Sequence, residues 1–105
     1  MDRSFAQALE VKILSLKPLV KYEDKQELVL KTEPGATCDG LRWLLNSSGS
    51  RLNRQPGPLE PQTAGEDGTL KFTWTVVNAN AYVEVVMTCK KDGRTGTARS
   101  TYRTN

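Results

Sequence analysis

Apolar and polar residues alternate most regularly near the C-terminal third of the chain. Leu70, Phe72, Trp74 and Val76 interleave with Thr69, Lys71, Thr73 and Thr75, a period of two that predicts an antiparallel strand with one buried face. Tyr82 to Cys89 repeats the pattern, with Val83, Val85, Met87 and Cys89 sharing a face. Asp92-Gly93 fits a two-residue hairpin turn, and Thr95 to Arg103 returns as the last strand. Nearer the N-terminus, Leu9, Val11 and Ile13 alternate with Glu10 and Lys12 until Lys17-Pro18 interrupts them. Glu27 to Thr32 predicts a second strand, Pro34-Gly35 a type II turn, and Cys38 to Leu45 a third strand with Leu41, Trp43 and Leu45 in phase. The stretch 46–68 is rich in Ser, Gly, Pro, Asn and Gln. It reads as loop with one short strand near Leu59 to Thr63, closed by turn chemistry at Glu66-Asp67-Gly68. No segment sustains a helical period. About seven short strands predict an all-β, immunoglobulin-like two-sheet Greek-key sandwich.

The length of 105 residues fits one domain, read as spanning 9–105. Residues 1–8 read as a tag or the remnant of an export segment: Met1-Asp2-Arg3-Ser4 lacks the apolar core of a signal peptide, while Ala6-Gln7-Ala8 has the small-x-small form that precedes signal-peptidase cleavage. No apolar run approaches the roughly 18 residues that cross a bilayer as a helix. The net charge of +3 comes from cations interspersed with acids, so no nucleic-acid partner is expected. The domain is expected to be a monomer. Asn46-Ser47-Ser48 has the form of a glycosylation sequon, which matters only in a eukaryotic secretory pathway.

Chemistry is sparse. Histidine is absent, which removes the usual nucleophile–base pairs. Two cysteines without histidine do not complete a structural zinc site in one chain. The acids fall in loops and on polar strand faces. The reading is therefore of a protein that is not an enzyme, with no catalytic residues, no metal and no cofactor.

Cys38 and Cys89 lie 51 positions apart, and a crosslink closing such a loop is worth roughly 4 kcal/mol in the chain-entropy account. Cys89 is in phase with apolar neighbours at the end of the sixth expected strand, and Cys38 opens the third. In a Greek-key sandwich these strands are antiparallel neighbours, so the start of one lies beside the end of the other, about 4.5–5.5 Å apart at Cα. A Cys38–Cys89 disulfide is expected, and with it an oxidising compartment.

Thr32-Glu33-Pro34-Gly35-Ala36-Thr37-Cys38 resembles the T-x-P-G-A-x-C opening of immunoglobulin-like β-sandwich domains in bacterial exported and cell-surface proteins. Leu59-Glu60-Pro61-Gln62-Thr63-Ala64 resembles their L-x-P-x-T-A. Gly68-Thr69-Leu70 with Thr73-Trp74-Thr75-Val76 resembles their G-x-V and T-W-x-V, and Val86-Met87-Thr88-Cys89 with Gly93 resembles their V-x-V-T-C ending and hairpin. The resemblance covers roughly Tyr22 to Thr104. It implies secretion or display at the cell surface, and an accessory role beside enzymes or as a surface module. Two places depart from the pattern. Gly40 stands where an apolar residue is usual, so that an Asp39-Gly40 bulge is expected to restore the phase, and Asn78-Ala79-Asn80 replaces a Pro-Gly turn.

Trp74 and Trp43 are in phase with aliphatic neighbours and read as core rather than as a sugar-stacking platform. Tyr22, Tyr82 and Tyr102 read as exposed. The final hairpin collects Lys90, Lys91, Arg94, Arg99, Tyr102 and Arg103 as candidate ligand contacts, with Arg99 and Arg103 on one face of the last strand. Such cations suit an anionic polymer, although charges on a strand also deter edge-to-edge aggregation. The expected function is that of a non-catalytic exported module, a spacer or a protein-interaction domain. The alternatives are a carbohydrate- or cell-wall-binding module and a protease inhibitor presenting the 46–58 loop. The partner is accordingly another protein or a cell-wall polymer.

Overall fold

The period-two segments become strands of a two-sheet sandwich in a computed structural model that describes residues 8–55 and 57–105. The strands run β1 (Lys12–Leu16), β2 (Leu19–Val20), β3 (Lys25–Lys31), β4 (Thr37–Leu45), β5 (Arg51–Arg54), β6 (Leu59–Thr63), β7 (Thr69–Thr75), β8 (Tyr82–Lys91) and β9 (Arg94–Thr104). One sheet has the order β1-β3-β7; the other has the order β2-β9-β8-β4-β5, with β6 also paired to β4. All these pairings are antiparallel except β2 with β9. The all-β, two-sheet architecture is as expected. Residues 1–7 of the expected leader segment lie outside the described residues.

Among the described residues nine strands replace the expected seven. β2 is two residues long, and β5 is Arg-Leu-Asn-Arg, exposed along its whole length; neither leaves an apolar alternation to read. β5 occupies the middle of the 46–58 segment, which is therefore not one long loop. The turn into it is held by Asn46, whose side-chain oxygen accepts from Ser48 N at 3.0 Å and Ser50 N at 2.9 Å. Pro18 marks the crossing from the small sheet to the large one. The break is filled by fully buried Gln26, which accepts from Lys17 N at 3.0 Å and donates to Lys17 O at 2.8 Å. The stranded backbone groups there are thus satisfied by a side chain, as burial requires.

The core joins Leu28, Leu30, Phe72 and Trp74 of the small sheet to Val83, Val85, Met87 and the cysteines of the large one. Trp74 Nε1 donates to Tyr102 Oη at 3.0 Å, tying β7 to β9 across the sandwich. Asp92 and Gly93, at φ 51° and 76°, form the expected two-residue hairpin with both central residues left-handed.

β4 corrects the expected phase. It pairs with β8 without interruption from Thr37↔Lys90 to Leu45↔Tyr82, and the irregularity at Cys38/Gly40 falls only in its pairing with β6. No bulge resets the alternation toward the core. Cys38, Gly40 and Arg42 therefore face inward, and Leu41, Trp43 and Leu45 lie on the outer face, half-buried. A Cβ at Gly40 would meet Met87 Sδ at 2.5 Å and Leu59 Cδ1 at 3.0 Å, so a larger residue there requires these core side chains to move.

Candidate functional site

Cys38 and Cys89 are directly opposed on β4 and β8 and form a buried disulfide, with S–S 2.04 Å and Cα–Cα 4.0 Å. The bond lies within the large sheet, on its inner side.

The basic hairpin divides into two groups with different tasks. Arg94 forks onto Glu33, with Nη1 to Oε2 at 2.6 Å and Nη2 to Oε1 at 2.9 Å, while Lys91 Nζ donates to Pro34 O at 2.7 Å. These two cations anchor the β3–β4 turn to the last hairpin. The Arg94 guanidinium, and then Lys91, hold the Glu33 carboxyl below its ordinary value. A depressed carboxylate contributes stability above its unfolded pKa and loses it as pH falls through the folded one. An NMR titration of Glu33 is expected to show a midpoint below the ordinary glutamate value, and Arg94→Gln should bring it back up. The pair is solvent-exposed, so the gain is small and salt-sensitive.

The second group lies on the outer face of the large sheet. Cross-strand register places Trp43 beside Glu84 and Arg54, Leu41 beside Val86, Val86 beside Arg99, and Leu45 beside Tyr82, which is itself opposite Arg103. Arg51 stacks on the Trp43 ring at 4.5 Å, and Arg103 on the Tyr82 ring at 5.3 Å. Glu84 receives Arg51 Nε at 2.8 Å and sits 4.0 Å from Arg99. An apolar stripe of Leu41, Trp43, Leu45 and Val86 thus runs between two arginines that each lie over an aromatic ring. Beside it the Asn46–Gly49 turn, Leu45, Tyr82 and Thr101 border an open groove of about 380 Å³. Lys90 lies on the same face near the far end of β8. A guanidinium drawn to a ring face keeps its charge and its planar set of donors, which suit planar acceptors such as carboxylates.

Two assignments change. Tyr102, grouped with the exposed tyrosines by sequence, is 3% exposed; it alternates with Arg103 and so points into the core, where burial pushes its hydroxyl pKa up. It takes no part in the surface. Trp43, read as core, lies on the outer face instead. Arg51, Arg54 and Glu84 carry no signal in the sequence, because each is an ordinary polar residue in isolation. Only the pairing of β5 and β8 with β4 brings them together.

Arg42 is the unexpected inward residue, 7% exposed. It lies 5.6 Å over the Trp74 ring, donates through Nη2 to Gly57 O at 2.7 Å and through Nη1 to Gln55 Oε1 at 3.3 Å. Burial lowers its pKa. A second cleft of about 280 Å³ opens between Gly57–Gln62 and Lys71–Trp74, with Arg42 in its wall. No helix of the described residues is long and apolar enough to cross a membrane.

The sequence matches no protein-family model and no curated protein. The fold is similar to that of Spo0M, a sporulation control protein from Bacillus subtilis, with a TM-score of 0.51 and 10% sequence identity. The alignment covers 95% of this chain and 50% of that one, so the chain spans about half the length of Spo0M. The likeness concerns the fold alone.

Proposed function

We propose that this is a non-catalytic, immunoglobulin-like module, exported to an oxidising compartment, that binds a protein partner through the outer face of its large sheet. The observation that carries this reading is the half-buried stripe of Leu41, Trp43, Leu45 and Val86 framed by ring-stacked Arg51 and Arg103. Aromatic residues and arginine are the types enriched where protein interfaces bind. The buried disulfide supports the compartment. A spacer has no use for an apolar stripe exposed on one side.

Trp43 and Tyr82 are also diagonal neighbours on this face, the arrangement that favours the second reading, a carbohydrate platform. A paired screen separates the two. The native domain and a Trp43→Ser/Tyr82→Ser variant are presented to a glycan array and to the extracellular proteins of the source organism. A protein retained by the native face and lost by the variant, with both equally folded, supports the proposal. Retention of glycans alone transfers the face to the carbohydrate reading, and retention indifferent to the two substitutions removes the face from either.

A further inference from the structure

The outer strands of the two sheets differ in how their edges are protected. β1 carries a register break between Ile13 and Ser15, the pairing of β5 with β4 breaks at Leu44/Leu45, β2 is two residues long, and β6 contains Pro61. Breaks, short length and proline are the devices that blunt a sheet edge. β7 has none of them. Its register with β3 runs unbroken from Thr69↔Lys31 to Thr75↔Lys25, and no described strand pairs with its other side.

The direction of its free backbone groups follows from its ends. Gly68 O accepts from Thr32 N at 2.8 Å, Val76 N donates to Asp24 O at 2.9 Å, and Val76 O accepts from Glu23 N at 2.9 Å. Antiparallel ladders alternate, so the even-numbered residues between them bond toward β3. The N–H and C=O groups of Lys71, Thr73 and Thr75 then point to the open edge. Gln62 Nε2 donates to Lys71 O at 3.1 Å, which closes the near end. Thr73 and Thr75 are exposed, beside the cleft bordered by Leu59, Phe72 and Trp74.

We propose that this edge takes an extended peptide of a partner protein as an added strand, with small apolar side chains turned toward the cleft and acidic side chains at the alternate, outward positions. The charge of the sheet selects such an occupant. An added strand would continue the outward face that holds Lys12, Lys25, Lys31 and Lys71, with Glu27 on Lys71 at 3.7 Å. The same lysines disfavour a second copy, whose β7 would bring an equally basic sheet alongside. Backbone pairing supplies affinity and the alternate side chains supply selectivity in this mode of recognition. The site is separate from the outer face of the large sheet and stands or falls without it.

The probe is an end-blocked heptapeptide in which valine alternates with glutamate, followed by amide hydrogen exchange and shift perturbation of the ¹⁵N-labelled protein at millimolar peptide. Exchange at Lys71, Thr73 and Thr75 is expected to slow by about tenfold or more, with the even-numbered amides of β7 little changed. The peptide with lysine in place of glutamate should give no protection. Thr73→Pro removes an N–H that the β3 ladder does not use, and is expected to abolish binding while the Val85 and Met87 amides keep their shifts. Lys71→Glu leaves the backbone intact and should weaken the glutamate peptide by about tenfold, equivalent to ~1.4 kcal/mol. Unchanged exchange with the glutamate peptide, or equal protection by the lysine peptide, overturns the proposal. So does protection of the same amides that grows with protein concentration alone, which would give the edge to a second copy.

Discussion

Replacing Arg42 by alanine is expected to destabilise the domain by about 3 kcal/mol, and so to lower Tm by roughly 10–25 °C. The guanidinium holds the Gly57 carbonyl, the Gln55 side chain and the face of Trp74 together. Gln55 N donates back to Arg42 O at 2.8 Å, and the Gln55 amide also reaches Asn78, so the Arg42 side chain adds to a strap that ties the chain after β5 to the sandwich. Alanine leaves the Gly57 carbonyl without its charged donor and opens a void under the strap; a lost partner of a buried polar group costs more than the bond itself was worth. The buried charge has its own cost, which its lowered pKa records, and a buried ion replaced by an apolar group of like volume can come out near neutral. Arg42→Met therefore separates the contributions. If burial of the aliphatic stem dominates, the methionine side chain restores most of the loss. If the strap dominates, the methionine variant stays destabilised and exchange at Gln55 and Gly57 rises. Urea midpoints of the three proteins, with exchange at those amides, decide it. Equal stability of the alanine variant and the native protein would remove Arg42 from the core of the fold.

This residue also shows why part of the structure was hidden in the sequence. β7 and β8 were legible because each puts one apolar face against the core and one polar face toward water, so period and burial coincide. The disulfide was legible for the same reason: Cys89 shares the phase of Val83, Val85 and Met87, and antiparallel neighbours bring Cys38 opposite. In β4 period and hydrophobicity disagree. Strict alternation from Cys38 runs through Gly40 to Arg42, while the large apolar residues run through Leu41, Trp43 and Leu45, and only an inserted bulge would reconcile them. The structure keeps the alternation and buries the arginine. Tyr102 carried a similar signal, since the outer face shared by Arg99 and Arg103 excludes the residue between Thr101 and Arg103. For β5 no signal existed, because an exposed edge strand of Arg, Leu, Asn and Arg has no buried face to impose a period. The candidate site depends on β5, so the stacking of Arg51 on Trp43 emerges only once the pairing is known.

Removing the disulfide as Cys38→Ala/Cys89→Ala is expected to cost about 4 kcal/mol, the chain-entropy value for a loop of 51 residues, and to lower Tm by roughly 15–30 °C. The effect acts chiefly on the unfolded chain. In the folded state β4 and β8 are already paired along the whole run from Thr37 to Leu45, so the bond adds little rigidity there. Unfolded, these strands are far apart in sequence with no hairpin between them, and their closure must otherwise be driven entirely by the non-local contacts they form. The bond also pins register, for a slip of one residue would turn Asp39 and Leu41 inward and Arg42 out. Alanine is the proper replacement, since serine would add an unsatisfied hydroxyl to a fully buried site. Two measurements check the account. Chemical unfolding of the native protein in excess reductant should reproduce the loss seen in the double variant, and Cys89→Ala alone should match it, because one cysteine contributes no closure. A reduced protein as stable as the oxidised one would show that core packing alone closes the β4–β8 pairing. Domains of this size are stable by about 5–15 kcal/mol, so a loss of about 4 kcal/mol brings the lower part of that range close to unfolding. The stability of the fold is in this way coupled to the redox state of its surroundings, and that coupling is the physical link between the buried pair and the proposed export of the chain.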